Sequence, residues 1–275
     1  MSGTLRLTIL GCGSSGGVPR LGGDWGACDP ANPKNWRTRC SLLVERKPEG
    51  ASWNSEQVTT ILVDTSPDMR AQLLAARVTR LDAVFLTHDH ADQTHGIDDL
   101  RAFWMRQRQL VPVYMDQPTA NVIMQRFGYC FAQPGGSPYP PILEARLALR
   151  HAEQVTIDGP GGAITVEPLD QDHGYVRSLG FRFGRAAYSN DVVELPDDTK
   201  ARLKDLDLWI VDALQDAPHR THAHVDKTLD WIEELAPKQA VLTNMHHSLD
   251  HDELAARTPS HVTPAHDGMT IEVDA

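Results

Sequence analysis

The segment VFLTHDHADQTHG, residues 84–96, brings together side chains that commonly bind metal ions, at His88, His90, Asp92 and His95. An apolar run that reads as a buried strand precedes them, so they lie in a loop at a strand end. Alternate side chains of an extended segment point to the same side, which lets His88, His90 and Asp92 converge on one small volume. Imidazole and carboxylate suit zinc, manganese or iron. A polar loop that only caps the next helix is the alternative, and it does not account for three potential ligands in this order.

A second motif, GCGSSG at residues 11–16, fits the G-x-G-x-x-G pattern of dinucleotide-binding proteins. That function requires a helix that opens at the third glycine. The chain continues as GVPRLGGDWG, which cannot begin a helix. The sequence therefore favours a tight turn, whose glycines let the backbone pass close to another part of the protein, such as the rim of an active site.

Short β-rich runs and helical patterns predict the elements that position these residues. The predicted strands are 5–10, 59–64, 83–87, 111–115, 163–169, 179–184, 206–213, 240–244 and 269–273. The predicted helices are 67–78, 97–109, 118–131, 196–205 and 224–235. Strands come first in clusters and later alternate with helices, which favours layered sheets with helices outside them over a purely parallel sheet. No segment reads as a domain linker, so we expect one domain over residues 1–275.

The composition narrows the range of partners. The 275 residues are 41% hydrophobic and carry a formal net charge of −11. Binding of a nucleic-acid polymer needs a clustered basic face, so this net charge argues against a nucleic-acid partner. A small anionic substrate can still bind beside a metal ion. The sequence shows no secretory signal, no apolar run of membrane-spanning length and no paired cysteine spacing. We expect a cytoplasmic protein with reduced thiols and no membrane partner, and a homodimer is left open.

The histidine loop resembles the signature H-x-H-x-D-H of the metallo-β-lactamase-fold hydrolases, which HDHADQ matches at every position but the last. LDQDHG, AAYSND and AVLTNMHHSLD follow in the order of that family's later motifs. Within the superfamily the chain is most similar to the phosphoribosyl cyclic phosphodiesterases of phosphonate breakdown, from GCGSSGGVPRLGG to HDGMTIEV. The resemblance implies an α+β fold, an αββα sandwich of two mixed β-sheets packed face to face with helices on the outer faces.

The resemblance also implies one or two divalent metal ions, zinc or manganese, and a set of site residues. The implied metal ligands are His88, His90, Asp92, His173, Asp191 and His246. His222, in HRTHAHVDKTLDWI, matches a histidine that acts as general acid, and His224 and His219 are the alternatives beside it.

The sequence departs from the family pattern at the second metal ion. Gln93 stands where the signature has its last histidine, and Asn244 stands where the cyclic phosphodiesterases have another. An amide oxygen is a much weaker zinc ligand than an imidazole nitrogen. The residues that are candidates to complete the second site are Gln93, His95, Asn244, His246 and His247. The subfamily's structural zinc is not expected, because only Cys28 remains of the cysteines in the early loop.

Such a site predicts hydrolysis of a phosphodiester, because a metal ion lowers the pKa of water and offsets charge on phosphoryl oxygens. Asp92 would orient the attacking water or accept its proton, and His222 would protonate the departing oxygen. Arg101 and Arg177 are candidate contacts for an anionic substrate, and both also fit a surface role.

Three functions are compatible with the sequence. The first is a metal-dependent phosphodiesterase for a small cyclic phosphate or nucleotide-like phosphodiester. The second is hydrolysis of a thioester, lactone or β-lactam on the same fold, and the lack of a secretory signal counts against a β-lactam. The third is a degenerate, single-metal or metal-free binding protein, which the residues at 93 and 244 would fit but the intact first metal site disfavours. A tRNA-processing nuclease would need an extended basic arm, and the sequence has none.

Overall fold

Two mixed sheets of seven strands each form the framework of the described part of the protein. The computed structural model describes residues 3–53 and 55–275. In chain order the strands are β1 (Gly3–Gly11), β2 (Ser41–Pro48), β3 (Thr59–Val63), β4 (Ala83–Phe85), β5 (Val111–Tyr114), β6 (Leu143–Arg146), β7 (Val155–Ile157), β8 (Ile164–Asp172), β9 (Arg177–Phe183), β10 (Ala186–Ser189), β11 (Leu208–Asp212), β12 (Gln239–Thr243), β13 (Val262–Pro264) and β14 (Met269–Asp274). The first sheet has the order β14-β1-β2-β3-β4-β5-β6, and the second has the order β13-β12-β11-β10-β9-β8-β7.

Each sheet has an antiparallel half and a parallel half. In the first sheet β14, β1, β2 and β3 pair antiparallel, and β3 to β6 run parallel. In the second sheet β7 to β10 pair antiparallel, and β10 to β13 run parallel. Parallel strands end at the same edge of a sheet, so the loops that follow them can share one site.

The core lies between the two sheets. Ile61 and Val63 of β3 point into it, while Leu62 between them points to a second cluster on the opposite face. Phe85 of the first sheet meets Phe181 of the second, with ring centroids 5.6 Å apart. The apolar alternation of the strands therefore buries one face of the first sheet against the second sheet and the other against helices.

The helices cover the outer faces. They are α1 (Met69–Ala75), α2 (Ala91–Thr94), α3 (Arg101–Gln107), α4 (Gln117–Phe131), α5 (Asp197–Arg202), α6 (Val225–Leu235) and α7 (His251–Arg257). Residues of α1, α3 and α4 are buried in the second cluster, and Trp231 of α6 and Leu254 of α7 are buried with the strands of the second sheet. This architecture confirms the αββα sandwich. Within the described residues, no helix combines the length and the apolar character needed to cross a membrane.

The predicted strands all overlap observed strands, but five observed strands were not predicted. The sequence did not indicate β2, β6, β7, β10 and β13 or the helices α2 and α7, and α2 replaces part of the extended loop expected at residues 88–92. Strands β7 and β13 have three residues each, too few to display alternation. The helix predicted over 97–109 is corrected: a 3-10 turn covers Ile97–Leu100, and α3 ends because Arg108 adopts a left-handed φ of 57°.

Candidate metal centre

The residues with potential chemistry follow strands whose ends meet on one side of the molecule. His88 and His90 follow β4, and His173 directly follows β8. Asp191 comes two residues after β10, Asp212 is the last residue of β11, and Asn244 directly follows β12. The ends of these strands therefore bring polar residues that are far apart in sequence to one place.

Three histidines form the centre of this group. One ring nitrogen each of His88, His90 and His173 lies within 4.8 Å of the others. Their ring centroids are 4.5, 5.2 and 5.1 Å apart, each pair edge to face. Burial, reinforced by the neighbouring histidines, holds the pKa of His88 well below its usual value, and burial lowers the pKa of His173 to about 4. These imidazoles are thus neutral near pH 7, as metal ligands must be.

Hydrogen bonds fix which nitrogen of two of these rings faces the cluster. Nδ1 of His173 lies 2.7 Å from the carbonyl oxygen of Thr221, which can only accept, so Nδ1 carries the proton. Nδ1 of His88 lies 2.9 Å from Oγ1 of Thr87, and that hydroxyl lies 2.9 Å from Oδ2 of Asp64. Nε2 of His88 is buried without a hydrogen-bond partner. A lone pair that is buried and unpartnered beside two other imidazoles fits a divalent metal ion.

A second group shares His173 with the first. His173, Asp191 and His222 offer ligand atoms within 4.8 Å of one another, and Oδ1 of Asp191 lies 3.8 Å from Nε2 of His173. Nδ1 of His222 lies 2.8 Å from Oδ2 of Asp212, whose side chain is buried. Burial alone would lower the pKa of His222, but the carboxylates led by Asp212 raise it to about 9. The histidines of the site therefore differ in charge.

Amide side chains surround the carboxylate of Asp191. Nε2 of Gln93 donates to its Oδ2 over 3.1 Å, and Nδ2 of Asn190 donates to the same oxygen. Nδ2 of Asn244 lies 3.5 Å from Oδ1 of Asp191 and 3.2 Å from Oδ2 of Asp212. Gln93 also lies 3.5 Å from Oδ2 of Asp92. The two residues that replace histidines of the family pattern thus act as hydrogen-bond donors to the aspartates.

An open cavity of about 300 Å³ gives access to these groups. It is lined by Ser14, Ser15, Arg20, His90, Asp92, His173, Tyr175, Asp191, Leu214, Gln215, His219, Thr221, His222 and His246. The predicted tight turn forms one wall, where the N–H of Gly17 donates to the carbonyl of Ser14 over 2.8 Å. A Cβ on Gly16 would come within 3.1 Å of Nε of Arg20, so this glycine leaves room for the arginine beside the turn.

The three histidines considered for the second metal site, His95, His246 and His247, are engaged in other contacts. His95 is exposed and packs edge-on against Phe127, with ring centroids 5.5 Å apart. Nε2 of His246 is 2.5 Å from the guanidinium of Arg20, and Nε2 of His247 is 3.6 Å from Oδ2 of Asp24. These side chains are not brought into either histidine group found among residues 3–53 and 55–275.

The two arginines expected to contact substrate are directed elsewhere. Arg101 pairs with Asp98 over 2.9 Å and lines a different cavity, next to Trp104. Arg177 bridges Asp116 and Asp170, at 3.1 and 3.3 Å. Neither is among the described residues that line the cavity at the metal centre. Their position does not support the interpretation as substrate contacts, because each guanidinium is already paired with carboxylates outside this cavity.

Sequence reasoning missed two residues of the site. Asp212 ends the apolar run LWIVD, so it could have been found by the strand-end signal that picks out His88. Arg20 lies in the glycine-rich segment that follows GCGSSG, and only the proximity of that turn to the cavity reveals it. Of the histidines near position 222, His219 lines the cavity with a ring centroid 5.3 Å from that of His222, and His224 precedes α6 as its N-cap.

Solved structures of similar proteins share this architecture. The crystal structure of a diphosphatase from the PhnP family superimposes with a TM-score of 0.86 at 32% sequence identity, covering 100% of this chain and 99% of the other. The structure of zinc-bound PqqB from Methylobacterium extorquens gives a TM-score of 0.69 at 18% identity, covering 98% of this chain and 100% of the other, a likeness of the fold alone.

Sequence comparisons point to the same family. A profile of the beta-lactamase superfamily domain matches residues 59–246. An octanoyltransferase of Porphyromonas gingivalis is 32% identical over 275 residues, which cover 98% of this chain and 52% of that protein. A coenzyme PQQ synthesis protein B of Methylobacterium nodulans is 33% identical over 114 residues, 35% of this chain and 34% of that protein. The alignments thus span about half of the transferase and about a third of the synthesis protein.

Proposed function

This chain belongs to the beta-lactamase superfamily, and we propose that it is a metal-dependent phosphodiesterase that hydrolyses a small anionic phosphodiester, a cyclic phosphate or a nucleotide-like diester. The observation that carries the proposal is the pair His222–Asp212 beside the histidine cluster, in a cavity that also contains Arg20. Similarity over the full chain to a PhnP-family diphosphatase supports phosphoryl chemistry. The formal net charge of −11 favours a small substrate over a nucleic-acid polymer.

His88, His90 and His173, together with Asp191, would hold the metal ion. Two of the imidazoles are oriented by hydrogen bonds at Nδ1, and Oδ1 of Asp191 is 3.8 Å from Nε2 of His173. Imidazole nitrogens with one carboxylate suit zinc or manganese. A divalent ion held there supplies Lewis acidity, which makes water more acidic and offsets charge on phosphoryl oxygens.

Asp92 is the candidate to take the proton of the attacking water. It lines the cavity together with His90, and its side chain is partly accessible. As the water oxygen forms its bond to phosphorus, one water proton passes to a carboxylate oxygen of Asp92. The amide of Gln93 lies 3.5 Å from Oδ2 of Asp92, which restrains the position of that carboxylate.

His222 is the candidate to protonate the leaving group. The phosphorus–oxygen bond that breaks leaves its electron pair on the departing oxygen, and the imidazolium supplies a proton there. Asp212 holds Nδ1 of His222 at 2.8 Å, so Nε2 is the nitrogen free to donate. The proton that Asp92 has gained returns to solvent or to His222 before the next turnover.

Arg20 supplies positive charge at the cavity wall. It is the single arginine or lysine among the described residues that line the cavity. Its neighbour His246 has its pKa lowered to about 4 by burial and then by His247 and Arg20, so it accepts from the guanidinium as a neutral ring. The guanidinium therefore keeps its charge for an anionic group of the substrate.

A diphosphate ester is the second candidate substrate class. The PhnP-family relative that aligns over the whole chain is a diphosphatase. Hydrolysis of the phosphoanhydride bond of a diphosphate also transfers a phosphoryl group to water. The same residues would act in both reactions: Asp92 toward water, His222 toward the leaving oxygen and Arg20 toward a second phosphate. The two substrate classes differ in the second phosphate group, so an assay with both a phosphodiester and a diphosphate ester distinguishes them.

Turnover of defined substrates tests the proposal. The purified chain, loaded with zinc or manganese, would be assayed with bis-p-nitrophenyl phosphate, cyclic ribose phosphates and a nucleoside diphosphate ester. We expect hydrolysis of at least one of them, with loss of activity in His222→Gln. His261→Gln is the matched control, because His261 is exposed and is not among the described residues that line the cavity. A metal-loaded, folded chain that hydrolyses none of these substrates would refute the phosphodiester and diphosphate assignments together.

A further inference from the structure

The positions expected to bind a second metal ion are occupied by amide groups that donate hydrogen bonds. Nε2 of Gln93 donates to Oδ2 of Asp191, so the NH2 end of this amide faces the carboxyl group. The same argument places Nδ2 of Asn244 toward Asp212, 3.2 Å away. An NH2 group cannot bind a cation. Gln93 and Asn244 therefore present the wrong end of the amide to the aspartates for a shared metal ion.

These donors also stabilise the buried carboxyl groups, as a second cation would. Asp191 and Asp212 are almost fully buried, and buried carboxylates require charge-compensating or hydrogen-bonding partners. Asp191 has Gln93 and Asn190 on Oδ2, and Asp212 has His222, Asn244 and the backbone N–H of Val192 on its own Oδ2. A second divalent ion would have to displace several of these bonds.

The nearby histidines do not complete a second site. His95 is exposed against Phe127, His246 is engaged by Arg20, and His247 lies near Asp24. Each would need to give up these contacts before it could bind a metal ion together with the aspartates. We propose that this chain binds a single divalent ion at His88, His90, His173 and Asp191, and that the side-chain amides of Gln93, Asn190 and Asn244 replace the second ion as hydrogen-bond donors.

The first test counts metal ions and does not require activity. The full chain would be stripped with a chelator, loaded with excess zinc or manganese, freed of unbound metal by gel filtration and analysed by elemental mass spectrometry. We expect one ion per chain. Bound manganese should give the electron paramagnetic resonance spectrum of an isolated ion. Two ions per chain, or a spectrum of two exchange-coupled manganese ions, would overturn the proposal.

A paired variant tests the role of the amides. Gln93→His with Asn244→His places imidazoles where the amide donors stand, and we expect the metal content to rise from one ion to two. Gln57→His with Asn121→His makes the same two changes at exposed positions and should leave the content at one. A folded paired variant that still binds one ion would show that the amides do not exclude the second. If the paired variant does not fold, the metal count of the unmodified chain still decides.

The metal count and the proposed function fail separately. A chain with one ion and phosphodiesterase turnover supports both. A chain with one ion and no turnover on any of the assayed substrates supports the single-ion centre and rejects the proposed reaction. A chain with two ions and turnover rejects the single-ion centre and supports the proposed reaction.

Discussion

Nδ1 of His222 lies 2.8 Å from Oδ2 of Asp212, a carboxylate buried at the end of β11. The same oxygen accepts a hydrogen bond from the backbone N–H of Val192 over 3.1 Å. Nδ2 of Asn244 approaches it to 3.2 Å. Since three donors converge on one oxygen, the carboxylate is fixed in the fold, and it fixes the orientation of the His222 ring in turn. Asp212 is not among the described residues that line the cavity, so it acts as a positioning residue.

Replacing Asp212 with asparagine should reduce kcat far more than it changes KM. The amide keeps the size of the side chain but removes the negative charge that holds the imidazolium. Loss of correct orientation in a proton donor reduces the rate by ~100-fold. KM should stay within about twofold, because Asp212 does not reach the cavity. The measurement is steady-state kinetics on the substrate identified first.

Asp216→Asn serves as the control for that variant, because Asp216 is exposed and pairs with Arg257 on the surface. It should behave as the unmodified chain. A large rise in KM for Asp212→Asn with kcat unchanged would show that Asp212 supports substrate binding instead of proton transfer.

Replacing Arg20 with alanine should weaken substrate binding with little effect on kcat. A charge-assisted contact between a guanidinium and a phosphate contributes ~1.4 kcal/mol or more, which corresponds to a KM about tenfold higher. Arg20→Lys should recover part of the loss, since it keeps the charge without the planar fork. Arg101→Ala is the matched control, because Arg101 pairs with Asp98 outside the cavity. Equal KM values for Arg20→Ala and Arg101→Ala would remove Arg20 from the substrate site.

Local patterns were sufficient to predict the histidine loop. An apolar strand followed by His88, His90 and Asp92 is a signal contained in a few consecutive residues. The alternation of an extended chain accounts for His88 and His90, whereas Asp92 lies in the first turn of α2 and joins neither group of potential metal ligands among the described residues. Most of the longer strands were predicted for the same reason, although the eight-residue β2 was not. The three-residue strands β7 and β13 were not, because their place in a sheet depends on neighbours distant in sequence.

Contacts between distant segments could not be predicted in this way. Gln93 meets Asp191, which is 98 residues away, and the amide orientation depends on that contact. The sequence identified the unusual residue, but only the fold shows which end of its amide faces the carboxylate. The same limit applies to Arg101 and Arg177, since their type and sequence position cannot show that nearby carboxylates already pair with them. Roles that depend on a partner therefore require the fold.

Replacing Thr87 with valine should weaken metal binding without removing a ligand. Oγ1 of Thr87 lies 2.9 Å from Nδ1 of His88 and 2.9 Å from Oδ2 of Asp64, and valine has the same shape without the hydroxyl. Loss of such a partner of a metal ligand reduces metal affinity ~10–100-fold. Isothermal titration with zinc measures the change, and Thr156→Val at an exposed position is the control. Unchanged affinity in a folded Thr87→Val chain would show that the hydroxyl does not orient His88.

Replacing Asp250 with asparagine should destabilise the fold at neutral pH and much less in acid. Asp250 caps α7 by accepting from the N–H groups of Asp252 and Glu253, and its other oxygen accepts from the N–H of Asp29 and the amide of Asn35. Burial alone would raise the pKa of this carboxyl, but these hydrogen bonds lower it below its usual value. An amide NH2 facing two donors leaves them unsatisfied, at a cost of ~2 kcal/mol.

The pH dependence of that loss follows from the direction of the pKa shift. A carboxyl whose pKa is lowered by folding contributes its stabilisation above its unfolded value of about 3.9, and loses it as the pH falls through the folded value. The free energy of unfolding in urea should therefore differ between Asp250→Asn and the unmodified chain at pH 7, and the difference should shrink below about pH 4. Asp230→Asn, at an exposed position of α6, should show no difference at either pH. A gap between the Asp250→Asn and unmodified chains that stays constant down to pH 3 would mean that the hydrogen bonds of Asp250 do not depend on its charge.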